Sequence, residues 1–252
     1  MARIIRKGIN LEKRYTKVKK QVGRNTLLSF LTLSASIISG IYFLSIAQPT
    51  LLLFSLFLII VSATLIHTTV ALKDEIDILE SGMEGENLTS KSIATLPESY
   101  TAFRNLTISY KGKRSEIDIL VIGPTGIFVI ETKNLHGKIR GNVNDLYWTQ
   151  YKVGRRGTPY SKKFYNPVKQ VNTHVSLITS YLKAQGIRAY ITPMVYFANQ
   201  NTVVDINETN EKTPVFSANN FGTNRMLFHI LNNNQQLTPD VYKKTIKILI
   251  KM

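Results

Sequence analysis

The sequence predicts an α/β domain, helices flanking a mixed sheet, joined to a two-helix transmembrane hairpin. Three observations carry this. Residues 26–72 contain no Lys, Arg, Asp or Glu; strand-like and helical patterns alternate beyond them; and 32 basic against 16 acidic side chains leave a net charge of +16. With 252 residues, 44% of them hydrophobic, the chain has ample material for a core. Only 14 Gly, 8 Pro and no Cys exclude collagen-like, disordered and disulfide-scaffold classes. Without cysteine there is no disulfide partner, iron–sulfur cluster, thiolate zinc site or cysteine nucleophile. Four scattered His residues leave carboxylate oxygen as the main ligand for any metal. The positive charge points towards phosphates, on lipid or on nucleic acid.

Residues 1–25 hold nine basic side chains against Glu12 alone, and read as a basic cytoplasmic tail lying on anionic headgroups. The uncharged run then divides at Gln48-Pro49 into 26–47 and 50–72. A hydrocarbon core of about 30 Å needs about 20 helical residues, so each half is long enough. Lipid offers the backbone no partners, which makes both helical. Neither half has the polar face that a soluble hairpin would need. Ser45-Ile46-Ala47 resembles a signal-peptide cleavage site, but the apolar stretch is too long and a second span follows at once. Basic residues before the first span, with Lys73 after the second, place both termini and the soluble domain in the cytoplasm, at the cell membrane.

Residues 73–252 form one soluble domain with 23 basic and 15 acidic side chains. Ser81-Gly82 should loosen the chain before a helix over 84–96 that Pro97 ends. Strands are expected at 106–110, 116–122 and 127–132, with weaker ones near 138–140 and 146–151. Asn166-Pro167 starts a helix, the Asn capping and the Pro at the first position. Val168, Val171, Val175, Ile178 and Leu182 give that helix its apolar face, and Gly186 closes it. Residues 191–197 and 213–216 read as strands; 225–231 and 239–251 read as helices, the last capped by Thr238.

The informative stretch is 115–133, where two apolar strands flank Gly123-Pro124-Thr125-Gly126. A four-residue turn pairs Ile122 with Ile127. In that register Leu120 faces Val129, Asp118 faces Glu131 and Glu116 faces Lys133, all on one side of the sheet. Two adjacent carboxylates repel unless something positive sits between them. Lys133 could serve, and so could a divalent cation, magnesium or manganese rather than zinc. A purely structural ion cluster is the plainer alternative, and a one-residue slip would part Asp118 from Glu131.

Asp118 followed by Glu131-Thr132-Lys133 resembles the core of the PD-(D/E)XK nuclease superfamily. More narrowly, the run 116–134, then Gly137-Lys138-Ile139-Arg140-Gly141-Asn142, Trp148 and 166–170, resembles the nuclease-related domain family. The likeness begins at Gly82-Met83-Glu84-Gly85-Glu86 and runs to about Phe197. It implies a restriction-endonuclease-like fold and hydrolysis of nucleic-acid phosphodiesters with Mg2+ or Mn2+. By that resemblance Asp118 and Glu131 bind the metal and Lys133 orients or activates the attacking water. Glu86 matches an additional acidic, metal-binding position, and Gln170 a polar position on the helix after the strands. Ile117 and Glu116 depart from the family's usual Pro and Gln, and Glu116 sets a negative charge beside Lys133.

Lys152, Arg155, Arg156, Lys162 and Lys163, interleaved with Tyr151 and Tyr160, read either as a solvated loop or as a mobile arm on nucleic-acid phosphates. His174, one turn after Gln170, is a candidate ligand or proton shuttle, or simply polar surface. Trp148 reads as a packing residue. The expected function is a membrane-anchored nuclease acting on nucleic acid, DNA ahead of RNA, with a role in DNA processing. Two rivals are a non-catalytic, membrane-tethered nucleic-acid-binding module and an adaptor whose basic surface meets only lipid.

Overall fold

The computed structural model describes residues 1–154, 157–207 and 212–252. They divide into two compact units, Asn10–Ser81 and a second made of Met1–Ile9 with Gly82–Met252.

In the first unit α1 (Asn10–Ile46) and α2 (Pro49–Ala94) form a hairpin that turns at Ala47, whose φ is 54°. Both helices are long and apolar enough to cross a membrane, and only 17% and 11% of their most apolar windows are buried. A core helix of a soluble protein would hide that surface; here Leu and Phe side chains face outward. The buried seam is polar and small. Ser36 Oγ meets Ser55 Oγ at 3.1 Å, Ser62 donates to Ser29 O at 3.1 Å, and Ser39 donates to Leu51 O at 3.0 Å. Such hydrogen bonds hold helices together where hydrophobic burial gives no driving force between them. At the charged end Arg14 pairs with Glu75 at 2.7 Å. The expected break at Ser81-Gly82 is absent, because α2 continues to Ala94. An interior Gly costs a helix only about 1 kcal/mol, which burial of Ile93 further along outweighs.

The second unit is a three-layer arrangement around a six-stranded mixed sheet. Its strands are β1 (Arg3–Arg6), β2 (Thr101–Tyr110), β3 (Lys113–Gly123), β4 (Gly126–Lys133), β8 (Ile191–Phe197) and β10 (Val215–Ser217), side by side in that order. β2, β3 and β4 form an antiparallel meander; β1 joins β2 in parallel, and β8 and β10 continue in parallel beyond β4. One face, with Leu120, Ile122 and Val129, packs on α3 (Pro167–Ala184) and α5 (Pro239–Ile250). The other, with Ile119, Val121, Phe128 and Ile130, packs on the end of α2 and on α4 (Gly222–Leu231). A second sheet runs β7 (Pro159–Tyr165), β6 (Tyr147–Val153), β5 (Gly137–Asn142) and β9 (Thr202–Asn207).

Two expectations need correction. Residues 3–6 are a strand of the sheet, not part of a tail on headgroups; Arg3 pairs with Thr101 and Arg6 with Arg104. The basic stretch after Trp148 is largely a β-hairpin, β6–β7, with Lys152 opposite Tyr160 and Gln150 opposite Lys162. Removing Met1–Ile9 should uncover the β2 edge, lower Tm by about 4–8 °C and promote aggregation. Melts and light scattering of the truncated full-length chain check this.

Candidate active site

The site grows from the β3–β4 hairpin. Gly126, at φ 139°, lets the turn close, and the register is as expected from Gly123↔Gly126 through Ile122↔Ile127 to Ile119↔Ile130. One residue further, at Asp118, pairing fails on both sides of β3. The β3–β4 ladder ends before it, and the β2–β3 ladder skips from Arg104↔Ile119 to Leu106↔Ile117. The skipped residue on β2 is Asn105, buried and left-handed at φ 55°. The register is in step on both sides, so Asn105 lies opposite Asp118 and the ladder is interrupted there with no residue inserted. β4 then follows β8, pairing Glu131 with Val195 and Lys133 with Phe197.

Asp118 fills the gap. Its Oδ2 accepts the Thr132 N–H at 2.8 Å, a side chain replacing the lost ladder bond. Burial, and then the neighbouring Glu131 charge, push the Asp118 pKa well above the usual carboxylate range. Glu131 is 2% exposed. Burial alone would raise its pKa too, but Lys133 and His174 outweigh that and hold it below the ordinary value. Lys133 Nζ donates to Glu131 Oε1 at 2.7 Å and to Gln170 Oε1 at 3.0 Å. Burial would lower its pKa; the charges of Glu131 and Asp118 raise it instead, so the ammonium is retained.

α3 supplies the other wall. Asn166 caps it by accepting from Val168 N at 2.9 Å, and its amide clamps the preceding turn through Val143 O and Asp145 O. That fixes the helix so that Gln170 reaches Lys133. One turn on, His174 Nε2 lies 3.2 Å from Glu131 Oε2, and its Nδ1 hydrogen-bonds the Ser115 hydroxyl. His174 is therefore not polar surface but part of a Ser115–His174–Glu131 chain. Residue type and a one-turn spacing from Gln170 were its only sequence signals, and Ser115 had none.

The sequence brought Asp118, Glu131, Lys133 and Gln170 together, and the structure does the same. Others are placed differently, although Glu86 still acts electrostatically on Asp118. Glu116 pairs with Thr107 on β2, beyond the point where the β3–β4 ladder ends at Ile119↔Ile130, and acts electrostatically on Glu86. Glu86 comes from α2, where Gly85 permits a close approach: a Cβ there would sit 2.6 Å from Asn134 Cβ. Its carboxylate lies 3.7 Å from Arg104, a partner the sequence did not suggest, and burial raises its pKa. On β6–β7, Lys152 and Lys162 share one face while Lys163 is on the other; Arg155 and Arg156 lie outside the described residues. Trp148 is a packing residue, fully buried and stacked on Phe197.

Among the described residues, no three His, Asp or Glu side chains converge to enclose an ion. The donor set still fits a hard divalent cation. Magnesium is commonly held by one or two carboxylates and keeps its remaining positions for water and substrate phosphate. Glu131 Oε2 is buried and faces His174 Nε2 at 3.2 Å, which leaves it acceptor capacity for a further partner. Asp118 beside it resists ionisation, and a cation would stabilise its charged form.

Comparison with known proteins agrees with this geometry. Residues 81–198 match the nuclease-related domain family. A Bacillus anthracis protein described as uncharacterized is 33% identical over 111 residues, which are 43% of this chain and 52% of that protein. The chain thus matches about half the length of that relative. No solved structure matches.

Proposed function

Since residues 81–198 belong to the nuclease-related domain family, we propose that this chain is a membrane-anchored nuclease that hydrolyses nucleic-acid phosphodiesters at Asp118, Glu131 and Lys133. The observation that carries the reading is a carboxylate pair, Glu131 buried and Asp118 half-buried, the second opposed by the charge of the first, with a lysine held beside them. Asp118 and Glu131 would hold Mg2+ or Mn2+. Such a cation supplies an acidified water and positive charge next to the phosphoryl group. Lys133, restrained by Glu131 and Gln170, adds a fixed ammonium where negative charge develops. Gln170 orients Lys133, and His174 backs Glu131. Lys152 and Lys162 on the shared hairpin face are available to phosphates.

The reading is tested by incubating the full-length chain, in neutral nanodiscs, with labelled single- and double-stranded DNA and RNA. Cleavage that needs Mg2+ or Mn2+ and stops with chelator supports it, and DNA should be cut faster than RNA. Binding without cleavage under any metal would favour the non-catalytic binding module.

The two apolar helices anchor the chain, with both ends in the cytoplasm by the basic residues flanking the spans. A reporter fused after Met252 should be active only inside the cell; activity outside would overturn that orientation.

A further inference from the structure

A groove of about 1120 Å³ runs between the tip of the β2–β3 hairpin and the exposed side of α3. Lys111, Lys113 and Arg114 line it from the hairpin, and Asn172, Ser176 and Lys183 from the helix. No acidic residue lines it. The four basic side chains are exposed, and among the described residues none forms an ion pair. Lys111 instead lies 5.6 Å from the Tyr110 ring centroid. Four unpaired cations facing one concavity repel one another and hold a condensed anion cheaply.

The groove also has a direction. Ser115, in its lining, hydrogen-bonds His174, which in turn lies 3.2 Å from Glu131 Oε2. The wall of the groove is thus connected side chain by side chain to the paired carboxylates.

We propose that this groove is the track along which the sugar–phosphate backbone of a nucleic-acid strand approaches Glu131, with Lys111, Lys113, Arg114 and Lys183 contacting its phosphates. The assignment rests on the nuclease reading and adds to it where the substrate lies. A concave channel with no acidic side chain among its described lining, whose wall leads to Glu131 through Ser115 and His174, suits a polyanionic strand; a flat basic face would suit a bilayer.

Binding of a labelled single strand and of a labelled duplex, without divalent metal, is measured for the full-length chain in neutral nanodiscs across a salt series. Each phosphate contact contributes about 0.7 to the log–log slope for a single strand and about 0.9 for a duplex. Changing all four residues to Ala should flatten the slope by about 3 and weaken binding at least about tenfold at moderate salt. Exchanging the three lysines for Arg and Arg114 for Lys should restore the slope, which excludes misfolding as the cause. Whichever strand form shows the larger change is the form the groove holds. Wild-type binding with an unchanged slope in the Ala variant overturns the groove while leaving the nuclease reading intact. Loss of wild-type binding altogether overturns both. If anionic vesicles added in trans bind wild type but not the Ala variant, and the nucleic-acid slope is unchanged, the surface belongs to lipid.

Discussion

Asp118→Asn should abolish metal-dependent cleavage and, without metal, make the protein more stable. The two effects share one cause. Burial and the Glu131 charge oppose ionisation of Asp118, so its carboxylate is held at a cost that only a cation removes. Asn keeps an oxygen for the Thr132 N–H and so preserves that link between β3 and β4. It cannot supply the anionic ligand. The rate should fall by about a thousandfold or more, or about 4 kcal/mol of transition-state stabilisation. The pH dependence gives a second readout. A pKa raised in the folded state means stability that is present below the ordinary carboxylate range and lost as pH rises through the folded value. Metal-free wild type should therefore lose stability on going from acid towards that raised pKa. Asp118→Asn should lack this decline.

Glu131→Gln should also abolish cleavage, yet with the opposite effect on stability. Glu131 is paired with Lys133 at 2.7 Å and lies 3.2 Å from His174. Neutralising it leaves a largely buried ammonium with Gln170 and the reluctant carboxylate of Asp118. Breaking one side of a buried pair typically costs about 3–5 kcal/mol. Tm should fall by at least about 6 °C for a domain of this size. Its linkage has the reverse sign from that of Asp118. Burial pushes the Glu131 pKa up, but the Lys133 charge and the hydrogen bonds from His174 and Lys133 outweigh it, so its stabilisation is present above the ordinary glutamate pKa and lost as pH falls through the depressed value. Melts of both variants against pH separate the carboxylates: Asp118 opposes ionisation, and Glu131 anchors Lys133. An ion cluster with no metal role would destabilise in both cases.

Much of this was readable from residue patterns, for local reasons. A charge-free run interrupted at Gln48-Pro49 has one stable form in lipid, and α1 and α2 meet there. Gly123-Pro124-Thr125-Gly126 sets hairpin length, and with it the pairing of Leu120 with Val129. Asn166-Pro167 caps α3 and so places Gln170. What escaped depends on contacts far apart in sequence. The β3–β4 ladder ends at Ile119↔Ile130, so the pairing counted from the turn does not reach Glu116, which pairs with Thr107 on β2. Arg3-Ile4-Ile5-Arg6 has too few residues to show alternation, and becomes a strand only because β2 offers an edge. The basic hairpin β6–β7 hides its period because Lys and Tyr occupy both faces. Ser115 enters the site only through a helix that begins fifty residues later.

The account turns on whether Asp118 and Glu131 together form a divalent-cation site. The decisive observation is the change in Tm of the full-length chain on adding magnesium, for wild type beside Asp118→Asn. At about a hundred times its dissociation constant a ligand adds about 2.7 kcal/mol, so wild type should gain at least about 5 °C. Asp118→Asn should gain nothing. If magnesium and manganese both leave wild-type Tm unchanged, or raise that of Asp118→Asn equally, the paired carboxylates are not a metal site and the nuclease mechanism built on them is wrong.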